Sequence, residues 1–217
     1  MKKNVVRVLI AGAAAGTALM LGAGIALAAT LTVTVTGAAS TGAVTASAGT
    51  VTLKDTRNGD TLTCTSSTGK GSVKNQTKTG AAPLKVGTIG STTFNHCTGP
   101  GGLSFTVKQN TVFNLDLTGA TNSSGVTAGG VTNVSATLTG TACTATVTGK
   151  APGTYKNATS TTKPVLTFKP TAPNPFGFKL TVKSANCLGI LTAGDTTTYA
   201  GAYTVTSPTT EKVVSTG

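Results

Sequence analysis

The 217-residue sequence predicts an all-β protein built from antiparallel strands. Apolar residues alternate with threonine in runs such as Leu31-Thr32-Val33-Thr34-Val35-Thr36, and this period of two is typical of a strand with one buried face. Threonine occupies 48 positions, and this β-branched residue suits a pleated, half-exposed surface. Because no window after residue 29 has a 3.6-residue apolar period, we expect little helix.

The first 29 residues have the pattern of a secretory signal peptide. A basic start over residues 1–7 is followed by an apolar segment that ends near Ile25, and Ala26-Leu27-Ala28 supplies small residues for cleavage. A retained membrane anchor is the alternative, but Gly and Ala repeatedly interrupt the apolar segment. We therefore predict a secreted, extracellular protein that begins at Ala29 or Thr30 and keeps no transmembrane anchor after processing.

Residues 30–217 are predicted to form a single all-β domain. Short strands separated by turn residues favour an antiparallel sandwich or barrel, immunoglobulin-like or similar. Faint internal similarity suggests two halves, residues 30–118 and 131–208. Stretches without regular alternation are predicted as connections, the second with at most one short edge strand: residues 37–49, 68–80 and 118–130.

A hairpin is predicted where Asn58-Gly59 separates two alternating runs. A two-residue type I′ turn needs positive φ at both central residues, and Asn and Gly tolerate this best. In that register Leu53 lies opposite Cys64, and Arg57 lies opposite Asp60.

The four cysteines predict two disulfide bonds, because export favours bridges over metal ligation or free thiols. Three connectivities are possible for four cysteines. Each of the two similar segments carries one cysteine and is followed by a second cysteine in an Asn-containing turn. Nearest-neighbour pairing fits this repeat, so we predict the bridges Cys64–Cys97 and Cys143–Cys187.

No arrangement of residues in the sequence identifies a reaction. His96 is the only histidine, and the five carboxylates are too scattered for a calcium loop or a glycosidase pair. Ser67-Thr68-Gly69-Lys70 and Lys78-Thr79-Gly80 match elements of penicillin-binding enzymes, but they lie next to each other instead of far apart. We therefore predict no enzyme, no cofactor and no metal site. Three tyrosines are candidates for an exposed stacking surface: Tyr155, Tyr199 and Tyr203.

The formal net charge is +12, and the chain remains basic without its first 29 residues. No carboxylate occurs between Asp60 and Asp116 or between Asp116 and Asp195, although lysines are frequent there. We predict weak, charge-driven binding to an anionic cell-wall polymer or surface, without specific nucleic-acid recognition. The alternative is that these lysines only protect sheet edges and keep the protein soluble. The predicted anion-binding residues are Lys70, Lys74, Lys78, Lys85, Lys150 and Lys156.

The cysteine-containing segments carry a family resemblance. Thr93-Phe94-Asn95-His96-Cys97-Thr98-Gly99-Pro100, taken with the segments around Cys64, Cys143 and Cys187, resembles small exported β-proteins of actinobacteria, a group without an assigned activity. This resemblance implies no functional residues. More loosely, the chain is similar to the neocarzinostatin-type apoproteins, exported sandwiches with two disulfides, although it is longer and lacks their specific motifs.

Three functions follow from these patterns, in order of preference. The first is a secreted or cell-envelope-associated β-protein with a binding or structural role, which a flat lysine face would favour. The second is a small-molecule-binding sandwich of the neocarzinostatin-like kind, which a concave apolar pocket would favour. The third is a hydrolase, which a buried carboxyl group of perturbed pKa beside His96 or a serine would favour.

Overall fold

A computed structural model describes residues 30–208 and 210–217, with Ser207 described by its backbone only. The predicted signal peptide lies outside the described residues. The expected all-β chain with antiparallel strands is confirmed, and the helical content described is one 3-10 turn at Pro100–Gly102. No helix in this part of the chain is long and apolar enough to cross a membrane. The strands are β1 (Thr30–Thr36), β2 (Ala43–Ala48), β3 (Val51–Asp55), β4 (Thr61–Val73), β5 (Gln76–Ala81), β6 (Leu84–Thr98), β7 (Ser104–Gln109), β8 (Phe113–Thr121), β9 (Val126–Gly140), β10 (Cys143–Lys156), β11 (Val165–Phe168), β12 (Leu180–Asn186), β13 (Thr196–Ser207) and β14 (Lys212–Thr216).

The main sheet closes on itself as a barrel with eight strand positions. Five positions hold the long strands β4, β6, β9, β10 and β13. Each of the other three holds two short strands placed end to end, namely β2 with β3, β8 with β7, and β11 with β12. Every short strand pairs antiparallel with the long strand on either side of it, so the pairings form an unbroken ring.

The order of strands around the ring follows their order in the chain. This is the up-and-down arrangement, and it differs from the Greek-key order of immunoglobulin-like domains. Both predicted halves of the chain, residues 30–118 and 131–208, contribute strands to the one ring.

The prediction of three connections is wrong in large part. β2 lies within residues 37–49, residues 68–80 contain the end of β4 and most of β5, and β8 and β9 extend into 118–130. These segments are rich in small residues, and their pairing is set by neighbouring strands more than by their own hydrophobicity. Some glycines are required by close backbone approach, since a Cβ atom on Gly71 would lie 2.1 Å from the Thr88 carbonyl oxygen.

A second sheet of three strands, in the order β14-β1-β5, covers one end of the barrel. Leu31, Val33 and Val35 of β1 are almost fully buried in a cluster that also contains Val73 and Leu84 from the barrel wall. We call this sheet the cap and this end of the barrel, where β2, β8 and β11 lie, the capped end.

The hairpin between β3 and β4 has a different register from the predicted one. Val51 lies opposite Cys64 and Leu53 opposite Leu62, because the turn has four residues instead of two. The Asp55 carboxylate accepts a hydrogen bond from the Arg57 backbone N–H at 2.7 Å and stabilises this longer turn. The register differs by two residues, so Leu53 and Cys64 still face the same side of the sheet.

Both predicted disulfide bonds are confirmed. Cys64 and Cys97 lie directly opposite each other on β4 and β6, and Cys143 at the start of β10 bonds to Cys187 just after β12. All four residues are buried. We call this end of the barrel, opposite the cap, the disulfide end.

Candidate functional site

An apolar cavity of about 180 Å³ lies inside the barrel. Residues from every strand position of the ring line it, among them Leu62, Phe94, Val107, Val131 and Leu180. An eight-stranded barrel is just wide enough to be filled by side chains or to hold one small ligand. For comparison, an engineered apolar cavity of about 150 Å³ in another protein binds benzene.

The cavity exists because many wall positions carry no large side chain. In a strand, alternate residues face the interior, so a glycine or alanine at an inward position leaves space where leucine or phenylalanine would fill it. At Gly69, for example, the atom nearest to an added Cβ would be the Cγ2 of Ile89 at 3.9 Å. Small residues that leave this space are Ala46, Gly69, Ala136 and Ala151. Gly71, Gly129 and Gly130 also line the cavity, but close backbone approach requires them, since an added Cβ would lie 2.1 to 2.4 Å from a neighbouring carbonyl oxygen.

The three tyrosines that were candidates for an exposed stacking surface contribute to the cavity wall instead. Tyr155 and Tyr203 are buried, Tyr199 is partly buried, and the rings of Tyr199 and Tyr203 contact Phe168. They therefore do not form an exposed stacking surface. Alternation on β10 and β13 directs them inward together with the apolar residues of the same strand face.

A chain of hydrogen bonds satisfies most of the polar groups in this part of the wall. The Ser67 hydroxyl donates to the Thr93 carbonyl at 2.9 Å, and the Tyr203 hydroxyl donates to Ser67 at 2.8 Å. Because the Tyr203 proton is used in this way, the hydrogen bond between the two tyrosines is donated by Tyr199. The Tyr199 oxygen therefore keeps a lone pair that can accept a hydrogen bond.

Glu211 introduces a carboxyl group at the capped end of the cavity. It lies just before β14, is only 3% exposed, and faces the interior with Val213, two residues further along the same alternating run. The Tyr155 hydroxyl donates to Glu211 Oε1 at 3.1 Å, whereas Oε2 has no hydrogen-bond partner. The Asn157 side chain anchors this segment, because it accepts from the Val213 N–H and donates to the Val213 carbonyl, both at 2.7 Å.

Burial raises the pKa of Glu211 above its usual value of 4.5, and the hydrogen bond from Tyr155 offsets only part of this effect. Burial also raises the pKa of Tyr155, as does the neighbouring Glu211 carboxylate. Asp116 also borders the cavity, but its neighbours Leu115 and Leu117 on β8 face the interior, and its buried carboxylate accepts a hydrogen bond from Thr132. Its side chain therefore points to the outer face of the wall, and Glu211 is the carboxyl group that faces the described cavity.

Glu211 is expected to make stability fall as pH rises. A carboxyl group whose pKa is raised in the folded state stabilises the protein below the unfolded pKa, and this contribution is lost as pH rises through the folded pKa. Glu211→Gln has no carboxyl group to titrate at this position. Its free energy of unfolding, relative to that of the native protein, should therefore increase as the pH rises above 4.5. Urea unfolding at a series of pH values measures this difference, and a constant difference across the series would contradict it.

A second group of ionisable residues lies at the disulfide end. Arg57 Nε donates to Asp195 Oδ1 at 2.8 Å, and an Arg57 Nη2 lies 3.6 Å from Asp55 Oδ2. The hydrogen bond from Arg57 lowers the pKa of Asp195, whereas burial raises the pKa of Asp55. The predicted pairing of Arg57 with Asp60 is therefore wrong, because Asp60 is engaged by the Asn58 side chain in the turn. The cluster fastens the β3–β4 turn to the loop between β12 and β13.

The structure separates the six predicted anion-binding lysines into two groups. All six are exposed. Lys70, Lys74, Lys78 and Lys85 lie on or between β4, β5 and β6, and Lys78 Nζ donates to the Lys85 carbonyl at 3.0 Å. Lys150 and Lys156 lie on β10, which is four positions from β4 and three from β6 around the eight-position ring and therefore on the other side of the barrel. Their role in anion binding stays a prediction.

The residues that a hydrolase would need are not brought together in the described part of the chain. Ser67 is buried and bonded to Thr93 and Tyr203, whereas His96 and Lys70 are exposed. Glu211, the carboxyl group with a raised pKa in the cavity, contacts Tyr155 at the capped end, while His96 is beside Cys97 at the disulfide end. Among residues 30–208 and 210–217, no three His, Cys, Asp or Glu side chains are grouped so that they could hold a metal ion.

Comparison of the chain with protein-family models, curated proteins and solved structures finds no match. The resemblance to small exported β-proteins of actinobacteria therefore stays a prediction, and the cavity carries the functional argument. Sequence reasoning missed the cavity and Glu211. The available signals were the Gly and Ala residues at inward strand positions and the alternation of Glu211-Lys212-Val213.

Proposed function

We propose that the protein is an exported binding protein that holds a small apolar molecule inside its barrel. The observation that carries this proposal is the apolar cavity of about 180 Å³, which is lined by every strand position of the ring. Buried, largely apolar cavities with a few polar groups are the usual form of small-molecule sites. Two disulfide bonds and the basic, signal-like N-terminus support export.

This function corresponds to the second of the three predicted from the sequence, the binding of a small molecule. A purely structural barrel would have larger apolar side chains at inward positions such as Gly69, Ala136 and Ala151, since packing stabilises a core. In our proposal the space is kept for a ligand, and the protein acts as a carrier or a sequestering protein without catalytic chemistry.

Titration with toluene tests the proposal. Toluene is apolar and close in size to the molecules that cavities of this volume accept. We expect saturable binding to the secreted protein by calorimetry, together with NMR shifts of the Leu62, Val131 and Leu180 methyl groups that line the cavity. Shifts confined to surface methyl groups, or binding that does not saturate, would contradict the proposal.

Weak binding to anionic polymers is a second candidate function, supported by the exposed lysines around β5. We expect retention on immobilised teichoic acid at low salt to fall steeply towards 0.5 M salt, where charges are screened within roughly 4 to 5 Å. Replacing Lys74, Lys78 and Lys85 by Ala should weaken retention more than replacing Lys150 and Lys156 by Ala. No retention at low salt, or retention that persists at high salt, would remove this function.

A further inference from the structure

Two buried side-chain oxygens of the cavity wall have no hydrogen-bond partner and would be left unused by a purely apolar ligand, namely Thr92 Oγ1 and Glu211 Oε2. The carboxyl oxygen of Glu211 is the stronger acceptor of the two. Glu211 Oε2 is buried and has no hydrogen-bond partner, although the residue lines the cavity and is only 3% exposed. A buried polar atom without a partner is unfavourable because it has lost its hydrogen bonds to water, so it points to a missing partner.

The surroundings of Glu211 hold the carboxyl group in one place. The Tyr155 hydroxyl occupies Oε1, and the two hydrogen bonds between Asn157 and the Val213 backbone fix the chain two residues beyond. The apolar residues Leu166, Val205 and Val213 also line this part of the cavity. Oε2 is therefore the free acceptor at one end of an apolar space.

The charge of the site contrasts with that of the whole protein. The chain has 17 basic and 5 acidic residues, yet among its Lys, Arg, Asp and Glu side chains the one that points into the described cavity is the acid Glu211. Lys70 also borders the cavity, but its side chain is exposed on the outer face of β4. A ligand group with a proton to donate would therefore find an acceptor at Oε2 and no competing positive charge beside it.

We propose that the ligand is an apolar molecule with one hydrogen-bond-donating head group, a hydroxyl or an amine, and that Glu211 Oε2 accepts the hydrogen bond from this group. The apolar body lies along the barrel between the capped end and the Tyr199 and Tyr203 rings. This inference rests on the proposed function, because it specifies the chemistry of the molecule that the cavity holds.

Four compounds with the same benzyl skeleton separate the contributions of body and head group. Toluene has no head group, benzyl alcohol and benzylamine each add a donor, and benzyl methyl ether adds only an acceptor. The quantity compared is the Kd of toluene divided by the Kd of each other compound, measured in the native protein and in Glu211→Met. Because both proteins face the same cost of removing the head group from water, the change in this ratio reports the contact with Glu211.

We expect the ratio for benzyl alcohol or benzylamine to fall about tenfold in Glu211→Met, as for loss of a hydrogen bond to a charged or strongly polar group. The ratio for benzyl methyl ether should not fall. Asp60→Asn, which removes a carboxylate at the disulfide end, is the matched control and should leave all ratios unchanged. Tyr155 keeps a partner in Glu211→Met, since its hydroxyl also donates to the backbone carbonyl of residue 211 at 3.2 Å.

A measurement on the native protein covers the case in which Glu211→Met does not fold. We expect benzyl alcohol or benzylamine to shift the ¹³Cδ resonance of Glu211, and toluene at equal occupancy to leave it nearly unchanged. If toluene binds but neither donor compound shifts this resonance or changes its ratio, the inference is wrong and the proposed function stands. A fall in the ratio for the ether alone would also overturn it, because Glu211 would then be the proton donor. If toluene does not bind, the proposed function itself fails.

Discussion

Replacing Cys143 and Cys187 together by Ala is expected to lower the free energy of unfolding by about 4 kcal/mol. The bridge closes a loop of 44 residues, and in the chain-entropy model a loop of this length restricts the unfolded chain by about that amount. The bridge also holds the start of the loop that carries Asp195, which bonds to Arg57 across the disulfide end. Guanidinium unfolding of the native and substituted proteins measures the change.

The second bridge provides the control for this prediction. Cys64 and Cys97 lie on directly paired strands and close a loop of 33 residues. Because the loop length is similar, replacing both by Ala should lower the free energy of unfolding by about 3 to 4 kcal/mol in the same model. If the free energy of unfolding fell by less than about 1 kcal/mol at both sites, the bridges would not stabilise the protein by restricting the unfolded chain.

Replacing Gly69 by Leu is expected to weaken toluene binding at least about a hundredfold. The position lines the cavity, and the nearest atom to an added Cβ is 3.9 Å away, so the new side chain enters the cavity without displacing the backbone. The leucine side chain then occupies the space that toluene would occupy. The cavity wall makes its apolar contacts with this leucine instead of with toluene. Calorimetric titration measures the change in Kd.

Gly90→Leu is the matched control for the cavity-filling substitution. Gly90 is on the neighbouring strand β6, is exposed, and also has room for a Cβ atom, with the Lys70 carbonyl oxygen 3.9 Å away. It introduces the same residue on the outside of the barrel, so toluene should bind as it does to the native protein. Equal affinities for Gly69→Leu and Gly90→Leu would place the ligand elsewhere.

The strands that alternate strictly were the predictable part of the fold. β1 is evident from Leu31, Val33 and Val35, because each apolar residue is separated by a threonine, and the local pattern is enough to assign one buried face. The two disulfide pairings were also predictable, since the two similar segments relate nearest-neighbour cysteines.

Closure of the ring could not be predicted from local patterns. β2 and β5 consist mostly of small and polar residues, and they become strands because neighbouring strands offer hydrogen bonds, to β2 from β4 and β13 and to β5 from β1. The hairpin register was missed for a similar reason. The Asp55 carboxylate stabilises a four-residue turn, and this capping interaction outweighs the local preference of Asn58-Gly59 for a two-residue turn.

The candidate site was hidden because it depends on side chains from distant strands. Gly69 and Ala151 are unremarkable in a sequence rich in glycine and alanine, and only the closed ring brings them to the same interior. Glu211 lies in a charged, polar segment near the end of the chain, where solvent exposure would be the ordinary expectation. Packing of β14 in the cap turns it inward instead.

Crystallography under xenon pressure tests most directly the central claim that the barrel holds an apolar cavity able to take a small molecule. Xenon enters apolar cavities of this size. We expect xenon inside the ring, among Leu62, Val131 and Leu180, and a loss of that density in Gly69→Leu. A barrel interior that is filled by its own side chains and contains no xenon would contradict the claim.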